Sequence, residues 1–497
     1  MEKLGIVLLG LGPGDPGALT RVAWSWLEEI DEIYLRTAYH PTVSALPKHI
    51  KRITFDAIYE RHESLEDVNA EIIDTVLALG QRPQGVTYAV PGHPFVAEAT
   101  CPEIYRQAQA IGLPVRVIDG LSFIEPTIRA LEIDPFPQLS IVDALMLSSR
   151  HVPSFSSSQP ALIGQIYSRM VASDVKLTLM ALYPDEHMVK LVHAAGTDEE
   201  RVETLPLYAI DQSPHFGLLS SLYVPGLPAG SAFEDFQEII ARLRAPDGCP
   251  WDREQTHTSL KPFLLEEAYE ILEALDNEDI EALREELGDL LLQIMLHAQI
   301  GSEDGDFNMA DVLQSISDKL IRRHPHVFAD VQVKGVDGVI HNWEKIKADE
   351  RKENGDPHKM GMLDGLPLAL PALSQADAIQ RRAQRVGFDW PEIEGVVKKV
   401  YEELDELQAA KDEESRKAEA GDLLFAAVNV IRWLGVDAES ALRECNRRFK
   451  KRFAYIEQAA ESQGLTLDTM RFEAMDALWE EAKMKFKADD QSEHTSP

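Results

Sequence analysis

The sequence predicts a multidomain protein in which an α/β domain is followed by an all-helical half. Its 497 residues are enough for roughly three domains. Residues 1–228 alternate strand-like apolar runs with helix-like segments, a pattern typical of a sheet with helices on its faces. The segment VPGLPAGSA (224–232) has the composition of a linker, and helical patterns dominate from residue 233 onward. Two stretches of the second half match each other at a constant offset, which indicates an internal duplication.

The α/β prediction depends on apolar runs that end in glycine or proline. LGIVLLGLG (4–12) has the pattern of a buried strand that leads into a glycine-rich loop. LTRVAWSWLEEIDEIYL (19–35) has apolar residues at helical spacing. Further strands are predicted within 85–94, 113–122, 174–183 and 222–227. Strands that alternate with helices imply a largely parallel sheet.

Composition limits the partners and the compartment. A formal net charge of −35 at pH 7 disfavours binding of the whole molecule to polyanions, so no nucleic-acid partner is expected. No stretch approaches the ~20 apolar residues of a membrane span, so no membrane partner is expected. Three cysteines lie far apart without metal-ligand spacing, at Cys101, Cys249 and Cys445. This distribution suits a reducing cytoplasm and offers no zinc site.

The helical half carries one four-carboxylate pattern twice. In the first copy, Glu267 and Glu270 lie three residues apart, and so do Glu286 and Asp289. The same places are taken in the second copy by Glu403, Glu406, Glu419 and Asp422. Residues three apart share one face of a helix. The polar run DNEDIEA (276–282) suits a turn between antiparallel helices, so each copy predicts a helical hairpin with four carboxylates together.

Two interpretations of this pattern stay open. Acidic pairs at helical spacing are often a solvated helix face. Four converging carboxylates repel one another, however, unless a hard cation lies between them. Ligation by oxygen alone favours Mg²⁺ or Mn²⁺ over zinc. The adjacent apolar run from Leu290 to Met295 indicates partial burial, which favours the metal site because isolated buried carboxylates are costly.

The duplication extends beyond the acids. Three pairs of identical residues, each pair of a different type, are separated by 136 positions: Glu266 and Glu402, Trp343 and Trp479, and Lys347 and Lys483. The segment NWEKIK (342–347) corresponds to LWEEAK (478–483). A constant offset across different residue types favours two copies of one ancestral unit over a chance recurrence of acidic pairs.

Three loops of the first half carry a family resemblance. They read GLGPGDPGALT (10–20), AVPGHPFVAEAT (89–100) and VIDGLSFIEP (117–126). The glycine spacing is not the dinucleotide fingerprint, and a tight strand-to-helix turn explains the first loop equally well. Together the loops resemble the tetrapyrrole methylase family over residues 1–226. The resemblance implies an S-adenosylmethionine site with contacts at Gly10, Gly12, Pro13, Gly92 and Ser122. His93 stands where many such methylases have an aspartate, a departure that bears on methyl transfer.

The second half resembles MazG-type nucleoside triphosphate pyrophosphohydrolases. The resemblance is carried by residues 243–275, by RRHPHVF (322–328), by QRRAQRVGFDW (380–390) and by the two acidic signatures. It implies two MazG-type repeats, at 233–350 and 363–487. The polar composition of residues 488–497 separately predicts a disordered tail. The family pattern is Glu-Glu-x-x-Glu followed by Glu-x-x-Asp, and both copies fit it. The resemblance implies Mg²⁺-dependent hydrolysis of nucleoside triphosphates to monophosphate and pyrophosphate, and a homodimer, although the sequence itself does not decide the oligomeric state.

Further side chains are candidates for the reaction. Glu266 and Glu402 adjoin the proposed ligands and could orient water or act as the base, although surface ion pairs explain them equally well. The candidates for substrate binding are Lys345, Lys347, Arg385, Trp390 and Lys483. Most lysines and arginines on helices are solvated, and buried tryptophans more often belong to a core, as Trp251, Trp343 and Trp479 also could.

Two other functions compete with triphosphate hydrolysis. One is S-adenosylmethionine-dependent methyl transfer by the first domain, with the helical half as an auxiliary part. The other is a non-catalytic role in nucleotide sensing or assembly. The complete acid sets of both repeats disfavour the sensing role, and the His93 departure disfavours methyl transfer.

Overall fold

The computed structural model describes residues 5–336 and 369–492 continuously, with scattered positions between 338 and 367. The chain divides into two compact units, Met1–Thr256 and His257–Pro497. The division falls after the linker predicted at 224–232, so the first unit also contains the residues that open the first predicted repeat.

A parallel sheet forms the first half of the first unit. Its five strands lie in the order β3-β2-β4-β1-β5, and every neighbouring pair is parallel. The strands are β1 (Ile6–Gly10), β2 (Glu32–Leu35), β3 (Lys51–Thr54), β4 (Val86–Val90) and β5 (Val115–Ile118). The central strands β1 and β4 are buried along their whole length, because helices cover both faces of the sheet.

A second sheet is mixed. Its order is β6-β7-β10-β8-β9, and only β6 and β7 are parallel. The strands are β6 (Ser140–Asp143), β7 (Ala161–Gly164), β8 (Met188–His193), β9 (Arg201–Pro206) and β10 (Ser220–Val224). The expectation of a largely parallel sheet therefore holds for the first sheet and is wrong for the second. The short connection from β8 to β9 allows a hairpin, whereas a parallel pair needs a long crossover.

An α-helix follows most of the strands of the first unit, but β8, β9 and β10 follow one another without one. The helices are α1 (Arg21–Glu29), α2 (Asp56–Tyr59), α3 (Leu65–Gly80), α4 (Thr100–Ala110), α5 (Ile124–Leu131), α6 (Ala144–Ser148), α7 (Arg169–Leu179), α8 (Phe233–Arg244) and α9 (Pro250–Glu254). Short 3-10 helices lie at Pro16–Ala18, Pro41–Ala45 and Leu207–Gln212. The α/β architecture predicted for this part of the chain is confirmed.

One segment predicted as a strand is helical. Residues 174–183 were expected to extend a sheet, yet most of them belong to α7. Ser168 caps this helix, because its side-chain oxygen accepts a hydrogen bond from the backbone N–H of Val171 at 3.2 Å. Val171, Val175 and Leu179 are buried at helical spacing, so a helix buries the apolar residues on one face.

A second segment combines two elements where one was predicted. Residues 19–35 form α1 and then β2 rather than a single helix. The chain leaves the helix at Ile30, whose ψ of 147° is extended, and β2 begins at Glu32. The buried run Ile33 to Leu35 enters the sheet core, where a continuous apolar stretch is favoured over a helical stripe.

The second unit is built from helices throughout the part of it that the structure describes. They are α10 (Lys261–Asp276), α11 (Ile280–Asp304), α12 (Met309–Arg323), α13 (Pro325–Phe328), α14 (Ala372–Gln384), α15 (Ile393–Ala409), α16 (Glu413–Trp433), α17 (Ala438–Ser462) and α18 (Phe472–Ser492), with a 3-10 helix at Leu467–Thr469. The predicted all-helical second half is confirmed. No helix within the described residues is both long and apolar enough to cross a membrane.

Two helical hairpins carry the acidic signatures. Helix α10 packs against α11, and α15 packs against α16. In the first hairpin, the Asp279 carboxylate accepts hydrogen bonds from the N–H groups of Glu281 and Ala282 at 3.1 and 3.0 Å. In the second, Asp412 accepts from the N–H of Ser415 at 2.8 Å. These N-caps start the second helix of each hairpin at a defined residue, which sets the register of its acids against those of the first helix.

A buried ion pair holds the far end of the second hairpin. The Arg432 guanidinium on α16 donates through Nη2 to both oxygens of Asp389 at 2.8 Å, and to Asn429 Oδ1 at 2.7 Å. The Trp433 indole also donates to Asp389 at 3.1 Å. The side chains of Arg432 and Asp389 are only 3% and 11% exposed, so the segment before α15 is tied to the end of α16 by a fully partnered charge.

The C-terminal helix passes the predicted domain end. Helix α18 continues to Ser492, so residues 488–492 of the predicted disordered tail are helical. The segment is polar, but no glycine or proline interrupts it before Pro497, and polarity alone does not end a helix. Residues 493–497 lie outside the described part of the chain.

Candidate functional site

The first acidic hairpin brings its carboxylates together. One carboxylate oxygen from each of Glu267, Glu270 and Glu286 lies within 4.8 Å of the other two. Asp289 lies one turn beyond Glu286 on α11, and its charge acts on both Glu267 and Glu286. These four residues are called the first cluster below. The structure thus places all four predicted ligands in one neighbourhood, three of them within ligand distance of one another.

Burial and mutual repulsion raise pKa values in the first cluster. The pKa of Glu267 lies above its ordinary value because of burial first, and then because of the charges of Asp289 and Glu270. The pKa of Glu286 is also raised, by burial and by the charges of Glu270 and Asp289. Both shifts mean that the carboxylates are less stable as anions here than in water. A cation between them would remove the repulsion.

The second acidic hairpin forms a similar group. Carboxylate oxygens of Glu403, Glu419 and Asp422 lie within 4.8 Å of one another. Glu406 is the fourth member of this second cluster, and its pKa is raised by burial and by the charges of Glu403 and Glu419. Glu403 is only 5% exposed, so its charge needs a partner within the protein or a bound cation.

A lysine contacts the second cluster, and the sequence interpretation missed it. The Lys399 ammonium lies 2.6 Å from Glu403 Oε1 and 2.8 Å from Glu402 Oε1. Its hydrogen bond lowers the pKa of Glu402. The signal was present in the sequence, because Lys399 precedes Glu403 by four residues and side chains at that spacing meet on a helix.

The two candidate bases differ in their surroundings. Glu266 is exposed on α10, beside Glu267. The Glu402 side chain is 51% exposed and is paired with Lys399. A carboxylate that forms such a pair is held as an anion, which suits a hydrogen-bond acceptor for water and equally suits a surface ion pair.

The candidate phosphate-binding side chains lie in different settings. The Lys483 ammonium on α18 is paired with Glu480 at 2.6 Å. Arg385 is the C-terminal capping residue of α14. Lys345 and Lys347 lie outside the described residues. Of the predicted set, Arg385, Trp390 and Lys483 therefore lie within the described residues, and Arg385 and Lys483 belong to different helices.

The tryptophans of the helical unit contact neighbouring side chains and backbone. Trp343 lies under the Arg323 guanidinium, 5.9 Å from the ring centre, and Trp479 lies under Arg452 at the same 5.9 Å. The Trp390 indole packs on Gly395, where an added Cβ would lie 2.4 Å from the ring. Such contacts are typical of structural aromatic residues. In the first unit, Trp251 is 54% exposed on α9.

Two histidine pairs have different roles in the helical unit. His324 lies between α12 and α13, where Pro325 starts the second helix, and His326 lies within that helix, so this pair marks a helix end. His257 and His297, which the sequence did not single out, stack with ring centres 5.0 Å apart and share an Nδ1–Nδ1 contact of 2.7 Å. One ring must donate and the other accept in this hydrogen bond. Burial and the charge of His257 lower the pKa of His297, which favours the neutral form this bond requires.

The three loops of the first unit that carry the family resemblance meet at the C-terminal ends of neighbouring strands. Gly12 and Gly92 exchange two backbone hydrogen bonds, of 3.2 and 2.8 Å. At Gly10, an added Cβ would lie 2.5 Å from the Gly120 nitrogen and 2.6 Å from the Gly92 oxygen. The glycine is therefore required by backbone contact between the loops that follow β1, β4 and β5. The carboxyl ends of parallel strands are a common place for ligand binding.

The remaining predicted cofactor contacts lie nearby. Ser122 donates from its hydroxyl to Glu125 at 2.6 Å, at the start of α5. The Pro13 ring lies close to the backbone of Gly196, where an added Cβ would be 3.5 Å from it. The His93 ring lies 3.3 Å from Asp119 Oδ1. His93, the residue that departs from the family pattern, therefore lies beside an acid.

A buried histidine at this loop cluster was not predicted. His40 is 6% exposed, and neither ring nitrogen has a hydrogen-bond partner among the described residues. Burial lowers its pKa to about 4, a shift that the nearby backbone of Gly12 partly offsets. The neutral imidazole is therefore a buried polar group beside the glycine loops, and the Gly12 backbone is its closest approach to a hydrogen-bond partner among the described residues. Nothing in the sequence indicates that this histidine is buried, because a single histidine before a proline is not a recognisable motif.

Comparison with known proteins identifies two families. A model described as MazG nucleotide pyrophosphohydrolase domain matches residues 255–328, and one described as Tetrapyrrole (Corrin/Porphyrin) Methylases matches residues 5–211. The chain is 43% identical over 487 residues to the uncharacterized protein YabN of Bacillus subtilis (strain 168), covering 96% of this chain and 98% of YabN.

Two further relatives match the second half. The nucleoside triphosphate pyrophosphohydrolase/pyrophosphatase MazG of Thermotoga maritima is 48% identical over 255 residues, which cover 51% of this chain and 97% of the relative. The nucleoside triphosphate pyrophosphohydrolase of Escherichia coli (strain K12) is 45% identical over 251 residues, which cover 49% and 94% respectively.

The raised pKa of Glu267 predicts a stabilising substitution. The folded chain keeps this proton to higher pH than the unfolded chain, so the stability linked to it falls as pH rises from about 4.5 through the raised value. In chelator at about pH 7.5, Glu267→Gln should raise Tm by about 1–2 °C, and the gain should vanish near pH 4, where both states are protonated. Differential scanning calorimetry measures both values.

Glu273→Gln is the matched control for that measurement. Glu273 is exposed on the same helix and lies outside the first cluster. Its substitution should leave Tm unchanged at both pH values. A Glu267→Gln variant that melts below the parent at about pH 7.5 in chelator would contradict the proposed repulsion.

Proposed function

The chain belongs to the MazG nucleotide pyrophosphohydrolase family and carries a tetrapyrrole methylase domain ahead of its MazG region, and on this premise we propose a function for each half. The helical half hydrolyses nucleoside triphosphates to nucleoside monophosphate and pyrophosphate with the help of a divalent cation. The observation that carries this proposal is the convergence of carboxylates within 4.8 Å in both acidic hairpins.

The donor atoms of both clusters fit a hard divalent cation. All of them are carboxylate oxygens, which suit Mg²⁺ and Mn²⁺ and offer no soft ligand. Glu267, Glu270, Glu286 and Asp289 would hold the ion in the first repeat, and their counterparts would do so in the second. The raised pKa values of Glu267 and Glu286 support this assignment, because burial and then the neighbouring negative charges raise them, and a cation would favour the ionised carboxylates.

The reaction requires no protein nucleophile. Bound at the clusters, the divalent cation supplies positive charge to the triphosphate and to the departing pyrophosphate. Water forms the new bond to the α-phosphorus, and the bond from that phosphorus to the bridging oxygen breaks. Glu266 or Glu402, next to the ligands, would accept the proton of the water. The cluster carboxylates would fix the position of the cation, and the positioning of phosphates and water is the main source of catalysis in phosphoryl transfer.

Hydrolysis should release pyrophosphate and require both a cation and the carboxylates. A panel of nucleoside triphosphates is incubated with Mg²⁺ or with excess chelator, and pyrophosphate and orthophosphate are measured separately. Glu267→Gln and Glu403→Gln should each lower the rate without unfolding the chain, to about half if the repeats turn over equally and independently. The double variant should be inactive, while Glu273→Gln should retain full activity.

The outcomes of this panel separate the alternatives. Orthophosphate as the sole product, full activity in chelator, or an active double variant would refute the carboxylate mechanism. Complete loss in Glu267→Gln with no change in Glu403→Gln would assign turnover to the first repeat. The reverse result would assign it to the second.

For the first unit, we propose binding of S-adenosylmethionine or its demethylated product. Two observations support it: the backbone contact of three glycine loops, and the buried His40 imidazole beside them, whose ring nitrogens make no hydrogen bond of good geometry to a described residue. Gly10, Gly12, Pro13, Gly92 and Ser122 would line the cofactor, as the family resemblance implies. Methyl transfer to a particular acceptor is not part of this proposal.

Calorimetric titration with both ligands tests cofactor binding. Gly92→Ala should weaken binding, because its Cβ would point towards the Ser122 backbone at 3.9 Å and fill the space between the loops. Gly112→Ala is the matched control: Gly112 has φ 66° against 68° at Gly92, and its Cβ would meet nothing within 4 Å. Both variants therefore carry similar backbone strain. Absence of binding by the parent at millimolar ligand, or equal loss in both variants, would contradict the assignment.

A further inference from the structure

The two acidic clusters differ in the charge of a residue one helical turn before the first ligand. Lys399 precedes Glu403 by four residues, and Phe263 precedes Glu267 by the same four, which preserves the offset of 136. Residues at this spacing share a helix face, so both positions adjoin their cluster. The second repeat thus places a positive charge where the first repeat has an apolar ring.

The Lys399 ammonium lies beside carboxylates that a divalent metal ion would bind. It lies 2.6 Å from Glu403 Oε1 and 2.8 Å from Glu402 Oε1, so two carboxylates already share one positive charge. The Glu403 side chain is 6% exposed, and the lysine is the partner that makes its burial tolerable. A divalent ion that binds Glu403 competes with this tethered ammonium, because two positive charges held next to one carboxylate repel each other.

The lysine has room to leave. Its side chain is 37% exposed, against 6% for Glu403, so the ammonium lies at the solvent side of the cluster on a flexible four-carbon stem. A triphosphate reaches a cation at this cluster from solvent, to which the Lys399 side chain is also exposed. Its phosphate oxygens offer the displaced ammonium a new anionic partner.

We propose that Lys399 is a displaceable counter-ion of the second cluster that is transferred to the triphosphate when a divalent cation enters. The second cluster then binds cation and nucleotide as a coupled pair, whereas the first cluster, with Phe263, takes up the cation by itself. This inference rests on the proposed function and adds a binding residue to it. Lys399 becomes the residue that makes the two repeats respond differently to free cation.

The test measures cation binding and not turnover. Free Mn²⁺ is counted by its electron paramagnetic resonance signal during titration of the full chain, alone and with the α,β-methylene analogue of ATP. Glu267→Gln serves as the background that leaves the second cluster intact. In that background, Lys399→Met should tighten Mn²⁺ binding by about tenfold, because one repelling charge next to a divalent ion is removed. The nucleotide should tighten Mn²⁺ binding in the parent background and do so much less with Lys399→Met.

Lys398→Met is the matched control. Lys398 is the neighbouring exposed lysine, and its substitution changes the net charge equally without touching Glu403. It should alter Mn²⁺ affinity by less than about twofold, since exposed charges are screened. In the opposite direction, Phe263→Lys in a Glu403→Gln background should weaken Mn²⁺ binding at the first cluster and create a nucleotide dependence there.

The outcomes distinguish this inference from the proposed function. Mn²⁺ binding at the second cluster that is unchanged or weaker in Lys399→Met overturns the counter-ion role, and so does equal tightening by Lys398→Met. Either result leaves the metal-dependent hydrolysis standing if the first cluster binds Mn²⁺. Absence of Mn²⁺ binding at both clusters in every variant overturns the proposed metal site together with this inference.

Discussion

Repulsion between carboxylates that the fold holds together is the constraint on which the helical unit depends. Capped helices and apolar packing set the register of each hairpin, and that register forces acids into one small volume. Burial and neighbouring charge raise the pKa values of Glu267 and Glu286, so the fold itself keeps these groups in an unfavourable environment. Local conflict of this kind is expected where structure is maintained for a ligand and not for stability.

The two acidic hairpins share a scaffold and differ in charge. Each repeat retains a tryptophan under an arginine at 5.9 Å, which ties one helix to another in the same way twice. The clusters retain their acids as well. What changed is the counter-charge: the second cluster has Lys399 within 2.6 Å of Glu403, and the corresponding first-repeat residue is Phe263. Two sites with the same ligands can therefore differ in their demand for cation.

Local sequence patterns predicted the features that arise from local physics. The hairpins and their acids follow from residue spacing, because helical periodicity alone decides which side chains share a face. Residues 174–183 were misassigned, since an apolar run that is β-like in composition became helical through the Ser168 cap and the burial of Val175 and Leu179. His40 and the stacked pair of His257 and His297 depend on contacts between distant segments, which no single-sequence pattern encodes. Lys399 was missed although its spacing was visible, because only the structure shows that Glu403 is buried.

The most direct test of the account is anomalous diffraction from crystals of the full chain grown with Mn²⁺. The account predicts an anomalous peak among the carboxylates of Glu267, Glu270 and Glu286. A second peak among Glu403, Glu419 and Asp422 should strengthen when a non-hydrolysable triphosphate is included. Crystals that bind Mn²⁺ elsewhere and leave both clusters without anomalous signal, with or without the nucleotide, would contradict the central claim that these acids form cation sites.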